Sequence, residues 1–468
     1  FIMTLVGSSH LSQGIIEIEK QDNFVRSGWT PIPSDSFIGD PIQLKSSGNI
    51  RDLFIVLLQV FLSECPRGIV LASITPYLAF ISTAAESQSL IGYAVSLFSL
   101  GRLASSLPYG YMVDWTRSSR NTLILATIIT MFGSVLYMMG AWIGSGSYAV
   151  ACVLISRFII GFGSGTLSVS RSFMISISTS EERTKYVSWN TLVQYIGFSM
   201  SPIFPVVINW IFPSDASKWQ QDLVYNPSFF IIGANMVMLM LLFSSMSKHD
   251  PKLPEVRDSM RSLNIQDTNW NGGLSKLDAG FALFIFLNFS LRGVVGVVET
   301  IGASEYQRLN SADPDNVEDS MWFLLTMGAA GIMTFLALGY LEKIFSAFTL
   351  LLFGMGAMIS GSIALLPWLS HDSEILMILG TSLIWCFGSP ITQVFTISTY
   401  SQLMGQRPQG AIMGWLTTSG SVGRIVLPLL SSISHSLAHG TDIITVTFSI
   451  IVVLIFIGRY GKSTKPER

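Results

Sequence analysis

The sequence has few charged residues and few cysteines. Of its 468 residues, only 12% are charged and 50% are hydrophobic, whereas a soluble globular protein carries about 25% charged residues. This deficit excludes a water-exposed surface over most of the chain. The three cysteines, Cys65, Cys152 and Cys386, all lie in apolar runs, so we predict no disulfide framework. A net charge of −2 gives no reason to expect nucleic-acid binding.

Long apolar runs dominate the chain, whose mean hydropathy is +0.53. A run of about 20 apolar residues is long enough to cross a bilayer as a helix. We therefore predict an all-α polytopic membrane protein with twelve transmembrane helices, whose first partner is the lipid bilayer. The predicted spans are 53–81, 90–113, 122–144, 148–177, 187–212, 228–245, 279–303, 321–341, 345–369, 375–403, 411–435 and 443–457.

Lysine and arginine are distributed unevenly between the two sides of these spans. One set of loops, with both tails, holds most of them, whereas the opposite loops hold only Lys218 and Arg308. The positive-inside rule then predicts that both termini are cytosolic. The expected organisation is a cytosolic tail (1–51), an N-terminal six-helix bundle (52–246), a cytosolic linker (247–276), a C-terminal six-helix bundle (277–458) and a short cytosolic tail (459–468).

Charged residues inside the predicted spans are the strongest functional signal. Each costs roughly 2.5–3.5 kcal/mol at a helix centre on insertion scales, and here the basic residues outnumber the acidic ones. Rings of arginine are one way in which membrane pores select anions. The pattern favours an arginine-lined permeation pathway for an anion, with structural packing as the alternative. The residues are Arg67, Arg102, Arg157, Arg171, Arg292 and Arg424, with the acids Glu64 and Glu299.

The fourth span combines two of these arginines with small residues. Arg157, Gly161, Gly165 and Arg171 fall on one helical face, because steps of three and four residues return to the same side. Arg157 and Arg171 are separated by about 21 Å along a helix, so they cannot hold one ion together. We expect Arg157 at the cavity, Arg171 as a cytosolic-side anchor or gate, and the glycines in helix packing.

Two pairs of opposite charge are possible within single helices. Glu64 and Arg67 are three residues apart and share a face. Arg292 and Glu299 are seven residues apart and also share a face of their helix. Each of the two pairs is therefore either a structural ion pair or part of the mechanism. An apolar environment favours a protonated carboxyl group, so Glu299 is also a candidate proton carrier.

Several motifs resemble those of the major facilitator superfamily. Arg157-x3-Gly161-x-Gly163-x-Gly165 is similar to its fourth-helix signature. Gly110-x3-Asp114 resembles its loop between helices two and three, although Trp115 replaces a usual basic residue.

A longer match extends from residue 406 to 421 and includes Gly414, followed by Arg424 and Pro428. It resembles a lysosomal branch of the same superfamily, as do shorter stretches at Arg171 and Glu299. The resemblance implies a twelve-helix fold, an endolysosomal location and a proposed chloride permeation.

Three functions follow as hypotheses. The first is an endolysosomal transport protein that passes chloride or a small organic anion. The second is a proton-coupled, alternating-access solute transporter that uses Glu299, and the third is a non-transporting membrane scaffold or sensor. No phosphate-binding loop, metal cluster or nucleophile–base pair is found in the polar segments, so we predict no enzyme activity, cofactor or metal. The permeant, the choice between channel and carrier, and the oligomeric state stay open.

Overall fold

The computed structural model describes most of the apolar part of the chain. The described residues are 47–82, 84–178, 182–201, 203–204, 207, 219–248, 276–310, 317–366, 373–404, 409–431 and 435–460. The predicted N-terminal tail up to residue 46, most of the linker (249–275) and most of the C-terminal tail (461–468) lie outside them. Within the described ranges, all the regular secondary structure is helical, which confirms the all-α prediction.

Fourteen α-helices and one π-helical segment are present in the described ranges. They correspond to the twelve predicted spans, because α4 with α5 forms the fourth span and α11, the π segment and α12 form the tenth. The elements are α1 Ser47–Ile81, α2 Ala84–Thr116, α3 Ser119–Ile143, α4 Ser147–Gly163, α5 Leu167–Ile177, α6 Arg183–Ser199, α7 Trp219–Ser245, α8 Lys276–Asn310, α9 Val317–Ile344, α10 Ala347–Ala364, α11 Glu374–Thr381, the π segment Ser382–Gly388, α12 Ser389–Met404, α13 Gln409–Ser431 and α14 His435–Tyr460.

Eight of these segments are long and apolar enough to cross a membrane on length and hydropathy alone. The others, including those that contain Arg67 and Arg424, carry charged or small residues that lower their hydropathy. Several helices also begin before the predicted apolar stretch, as α14 does at His435. A helix can extend beyond the hydrocarbon core into the polar interface, where a hydropathy pattern does not follow it.

Serine residues mark the beginnings of three helices. The Ser118 side chain accepts a hydrogen bond from Asn121 at the start of α3, and Ser346 and Ser373 do the same for α10 and α11. Such caps satisfy one of the backbone N–H groups that lack a partner in the first turn. They fix the short connections between consecutive helices.

Two of the predicted continuous spans are interrupted. The fourth is broken by a turn at Ser164–Thr166 between α4 and α5, in the middle of its small-residue motif. The tenth contains the π segment that ends at Gly388, two residues before Pro390. Proline lacks the backbone N–H of a regular helix, and the helix is distorted in the turns before it.

Large aromatic side chains are exposed at helix ends. Trp115, Trp142 and Tyr148 are 85%, 83% and 86% exposed, at the ends of α2, α3 and α4. Aromatic side chains with a polar atom are enriched where the hydrocarbon core meets the headgroups. Their positions fit a bundle that crosses a bilayer.

The described chain has an N-terminal half (47–248) and a C-terminal half (276–460), defined here by their place in the sequence. Helix α13 of the C-terminal half packs against α8 of its own half and against α2 and α5 of the other. The charged residues of α1, α2, α5, α8 and α13 are therefore brought together in one compact unit, Ile42–Ile450.

Candidate functional site

Five charged side chains, three of them buried and two (Glu299 and Arg424) about one-tenth exposed, form one continuous set of ion pairs, called here the central ion network. Arg102 and Arg67 bind the two carboxylate oxygens of Glu64 at 3.0 and 3.1 Å. Arg67 also binds Glu299 at 2.5 Å, and Arg424 binds the same oxygen of Glu299 at 3.2 Å. Glu64, Arg67 and Arg102 belong to the N-terminal half, and Glu299 and Arg424 to the C-terminal half. The network therefore joins the two halves.

The spacing of Glu64 and Arg67 on α1 produces the pair that the sequence predicted. Three residues of separation place the two side chains on neighbouring turns of one face, and Glu64 is completely buried. Gln194 on α6 adds a hydrogen bond from Nε2 to Glu64 Oε1 at 3.2 Å. The Arg67 guanidinium also lies 3.8 Å from the ring centroid of Phe198, a distance at which a cation–π attraction is appreciable.

Glu299 has different partners from the one expected in its own helix. It binds Arg67 and Arg424, and the predicted pair with Arg292 is not formed. Seven residues correspond to about 10.5 Å along a helix, so Arg292 and Glu299 share a face but are separated by two turns. Helices α1 and α13 instead bring guanidinium groups directly to the carboxylate.

Three further buried arginines have no carboxylate partner among the described residues. Arg157 and Arg171 are 2% exposed and Arg292 is 6% exposed. Arg157 Nη1 donates to the carbonyl of Pro66 at 3.4 Å, and its guanidinium lies 4.7 Å from the Phe98 ring centroid. Arg171 Nη1 donates to Thr417 Oγ1 at 3.1 Å.

Arg292 makes no hydrogen bond or ion pair with the described part of the chain. It lies within electrostatic range of the guanidinium groups of Arg424 and Arg171, and more weakly of the carboxylate of Glu64, which forms no direct pair with it. Its aliphatic stem instead packs against Gly420, where an added Cβ would lie 2.9 Å from Arg292 Cγ. The uncompensated charge is thus concentrated where α5, α8 and α13 meet.

One buried acid was missed because the last span was predicted to begin at residue 443. Helix α14 begins earlier, so Asp442 lies within it and is completely buried. Its carboxylate lies 3.7 Å from Nδ1 of His439 in the preceding turn. Asp442 lowers the overall surplus of positive charge but makes no ion pair with the described arginines.

The end of α2 is attached to the beginning of α13. The carboxylate of Asp114 accepts hydrogen bonds from the backbone N–H groups of Gly410 and Ala411 at 3.0 and 2.7 Å. A negative charge at a helix N-terminus is favourable because those N–H groups lack helical partners and carry a partial positive charge. At this point Gly110 packs directly on the backbone of Gly410.

A second contact joins the halves near the ends of α6 and α12. Thr184 and Ser398 are linked through their hydroxyl groups at 2.6 Å. Arg183 Nη1 donates to the backbone carbonyl of Ser401 at 3.1 Å. Together with the Asp114 contact, these bonds join the halves on one side of the bundle, which is the cytosolic side in the predicted orientation.

The glycines of the fourth span pack against α2. An added Cβ at Gly161 would clash with the backbone of Phe98, and one at Gly165 would clash with the side chain of Ser105. Gly101 on α2 meets the backbone of Phe158 in the same way. The geometry agrees with the packing role expected for Gly161 and Gly165.

Small residues of α13 have a similar role. Gly414 faces α2, where its Cβ would lie 3.1 Å from the carbonyl oxygen of Ser106. Pro428 lies against α8, where its Cγ would be 3.0 Å from a Cβ at Gly296. These residues let α13 approach both halves closely.

The sequence alone did not identify the polar and aromatic residues that surround the charges. Gln194, Thr417 and Phe98 each contact a charged side chain from another helix. Isolated polar or aromatic residues in an apolar run carry no periodic signal, so only the tertiary contact assigns them a role.

The arrangement offers positive charge in a buried place between two halves, and few carboxylates to neutralise it. No group of three or more His, Cys, Asp and Glu side chains suited to a metal ion occurs in the described residues. The buried arginines can attract an anion electrostatically and donate hydrogen bonds to it.

The chain as a whole resembles known proteins. The chain is 24% identical over 470 aligned residues to major facilitator superfamily domain-containing protein 8 of Xenopus laevis. The alignment covers 86% of this chain and 89% of that protein. The human organic anion transporter MFSD10 (TETRAN) superposes with a TM-score of 0.64 at 14% identity, covering 87% of this chain and all of that one.

The Escherichia coli proton:xylose symporter XylE superposes with a TM-score of 0.67 at 15% identity, covering 90% of this chain and 97% of that one. These likenesses show the fold. The family model described as Major Facilitator Superfamily matches residues 56–428, which is most of the chain. The chain belongs to the major facilitator superfamily.

Proposed function

We propose that this protein is an endolysosomal transport protein that passes an anion, chloride or a small organic anion, between its two halves. The observation that carries the proposal is the group of three buried arginines, Arg157, Arg171 and Arg292, that have no carboxylate partner among the described residues. The location is inferred from the likeness to the Xenopus protein and from the lysosomal branch that the eleventh-span motif resembles.

An unpaired buried charge is costly, and the cost is offset when an opposite charge binds beside it. Arginine keeps its proton under all ordinary conditions, so these residues provide permanent positive charge. A transported anion would supply the missing negative charge during its passage. The printed description of MFSD10 as an organic anion transporter supports the same class of solute.

The contacts between the halves suggest how access would alternate. The Asp114 and Thr184–Ser398 contacts hold one side closed. Passage to that side requires these bonds to break while the central ion network changes partners. An anion that also reached the arginines of the central ion network would compete with Glu64 and Glu299 for them, and this competition would couple binding to the movement of the halves.

Anion flux in proteoliposomes tests the proposal. Purified protein is expected to raise the flux of chloride or of a small organic anion above that of empty liposomes. Arg157→Ala and Arg424→Ala are expected to lower that flux in protein shown to be folded, with Arg51→Ala as the exposed control. An unchanged flux in both variants would remove these residues from the pathway. No flux of any solute would favour the alternative of a membrane scaffold or sensor.

A second candidate is a proton-coupled solute transporter, favoured by the position of Glu299. One oxygen of this carboxylate holds both Arg67 and Arg424, so protonation would weaken two ion pairs at once, one of them between the halves. Uptake driven by a pH gradient and lost in Glu299→Gln would support this candidate. Anion flux that does not change with the pH gradient would exclude the proton-coupled transporter.

A further inference from the structure

We infer that Arg171 and Arg292, together with the adjacent face of α13, bind a small dianion through its carboxylate or phosphate oxygens. The inference rests on the proposed function, since it specifies the class of anion. It also moves the centre of the site from Arg157, where the sequence placed it, towards Arg171, which the sequence assigned to an anchor or gate.

Helix α13 brings the two arginines together. Arg171 on α5 binds Thr417, and the stem of Arg292 on α8 packs against Gly420. Thr417 and Gly420 are three residues apart, so they share a face and lie about 4.5 Å apart along the axis. Two side chains from opposite halves therefore meet neighbouring turns of one helix.

Hydrogen-bond donors remain unused at this place. Nε and Nη2 of Arg171 are buried and have no partner among the described residues. Arg292 makes no hydrogen bond or ion pair in the same part of the structure. Buried donors without partners are destabilising, and an oxyanion with several acceptor oxygens would satisfy them.

The shape of the guanidinium group distinguishes between anions. Its planar fork matches two oxygens of one carboxylate or phosphate, and such bidentate bonds are stronger than single ones. Chloride is a single point of charge and cannot use the fork. Two guanidinium groups without carboxylate partners require two negative charges for neutrality, so a dianion fits the site better than a monoanion.

The test measures binding to the purified full chain in detergent. The midpoint of thermal unfolding is recorded with sodium succinate, inorganic phosphate or sodium chloride at matched ionic strength. A comparison of succinate with phosphate shows whether the site prefers a dicarboxylate or a phosphate. The proteins are the wild type, Arg171→Gln, Arg292→Gln and the control Arg51→Gln, whose side chain is 55% exposed.

We expect succinate or phosphate to raise the midpoint of the wild type and the control, and chloride to raise it less. The shift is expected to be lost in Arg171→Gln and in Arg292→Gln. If these variants fold poorly, Arg171→Lys and Arg292→Lys keep the charge but lose the fork. They should bind about tenfold more weakly, as expected for one charged hydrogen bond.

An equal or larger shift with chloride, or a shift retained in both Gln variants, would overturn the inference. The same preparations are reconstituted and assayed for chloride flux. Chloride flux without preferential oxyanion binding would reject the inference and leave the proposed function standing. The absence of both binding and flux for every anion tested would reject the two together.

Discussion

Arg67 on α1 and Glu299 on α8 are 232 residues apart in the chain and form an ion pair, in which Nη2 lies 2.5 Å from Oε1. Each residue has a second partner, Glu64 for Arg67 and Arg424 for Glu299. The pair is therefore the link through which the charges of the two halves are connected. Breaking it leaves Arg67 and Arg102 to share Glu64 in the N-terminal half, while Glu299 keeps only Arg424.

Glu299→Gln is expected to destabilise the protein by about 3–5 kcal/mol, because removal of one partner from a buried ion pair leaves the other charge uncompensated. Here both Arg67 and Arg424 lose their shared carboxylate, while the shape of the side chain is kept. The measurement is the midpoint of thermal unfolding of purified protein in detergent.

A double-mutant cycle shows whether the loss comes from the Arg67–Glu299 pair itself. The double variant Arg67→Gln/Glu299→Gln should be less destabilised than the sum of the two single variants, since residues in contact are not additive. Strict additivity would mean that the two side chains do not interact in solution.

Asp114→Ala is expected to open the side of the bundle where α2 meets α13. It removes the two hydrogen bonds to the N-terminus of α13, and the loss of such a cap costs about 1 kcal/mol. A loss of that size increases the open population by about fivefold. Asp114→Asn keeps one acceptor oxygen and should have a smaller effect.

A cysteine at Ser401 reports this opening. Ser401 is completely buried, and its hydroxyl group has no partner among the described residues, so Ser401→Cys breaks no side-chain hydrogen bond. In a background without Cys65, Cys152 and Cys386, the rate of labelling by a water-soluble maleimide should rise in Asp114→Ala. Equal rates with and without the substitution would show that Asp114 does not hold the halves together.

The sequence was sufficient for the fold, and it singled out the charged residues that the structure brings together between the halves. The spacing of apolar runs predicted the order of the spans, and the few charges within them stood out because each is costly in a bilayer. Glu64 and Arg67 were paired correctly because their interaction is local, three residues along one helix.

The remaining pairings could not be read from the sequence because they depend on which helices touch. Glu299 lies on the same face of α8 as Arg292, yet its partners come from α1 and α13. The break at Ser164–Thr166 was also missed, since glycine and serine in an apolar run are equally compatible with a continuous helix.

Gly161→Ala is expected to destabilise the protein, because the new methyl group would overlap the backbone of Phe98 on α2. Overpacking of this kind costs about 1–3 kcal/mol, and a backbone neighbour cannot rotate away. Gly92→Ala is the matched control, since its Cβ would meet nothing within 4 Å and alanine favours the helix. A loss of thermal stability of equal size in both variants would contradict the packing role of Gly161.

Arg157→Met separates the pathway from the packing role of this arginine. Arg157 has one long hydrogen bond, 3.4 Å to Pro66, and a position beside the Phe98 ring, and methionine can replace its volume without a buried charge. Replacing a buried charge by a well-packed apolar side chain is often neutral or stabilising. We therefore expect an unchanged or higher unfolding midpoint together with a lower anion flux in proteoliposomes. The opposite result, a lower midpoint with full flux, would make Arg157 a structural residue and leave Arg171 and Arg292 as the arginines on which anion passage depends.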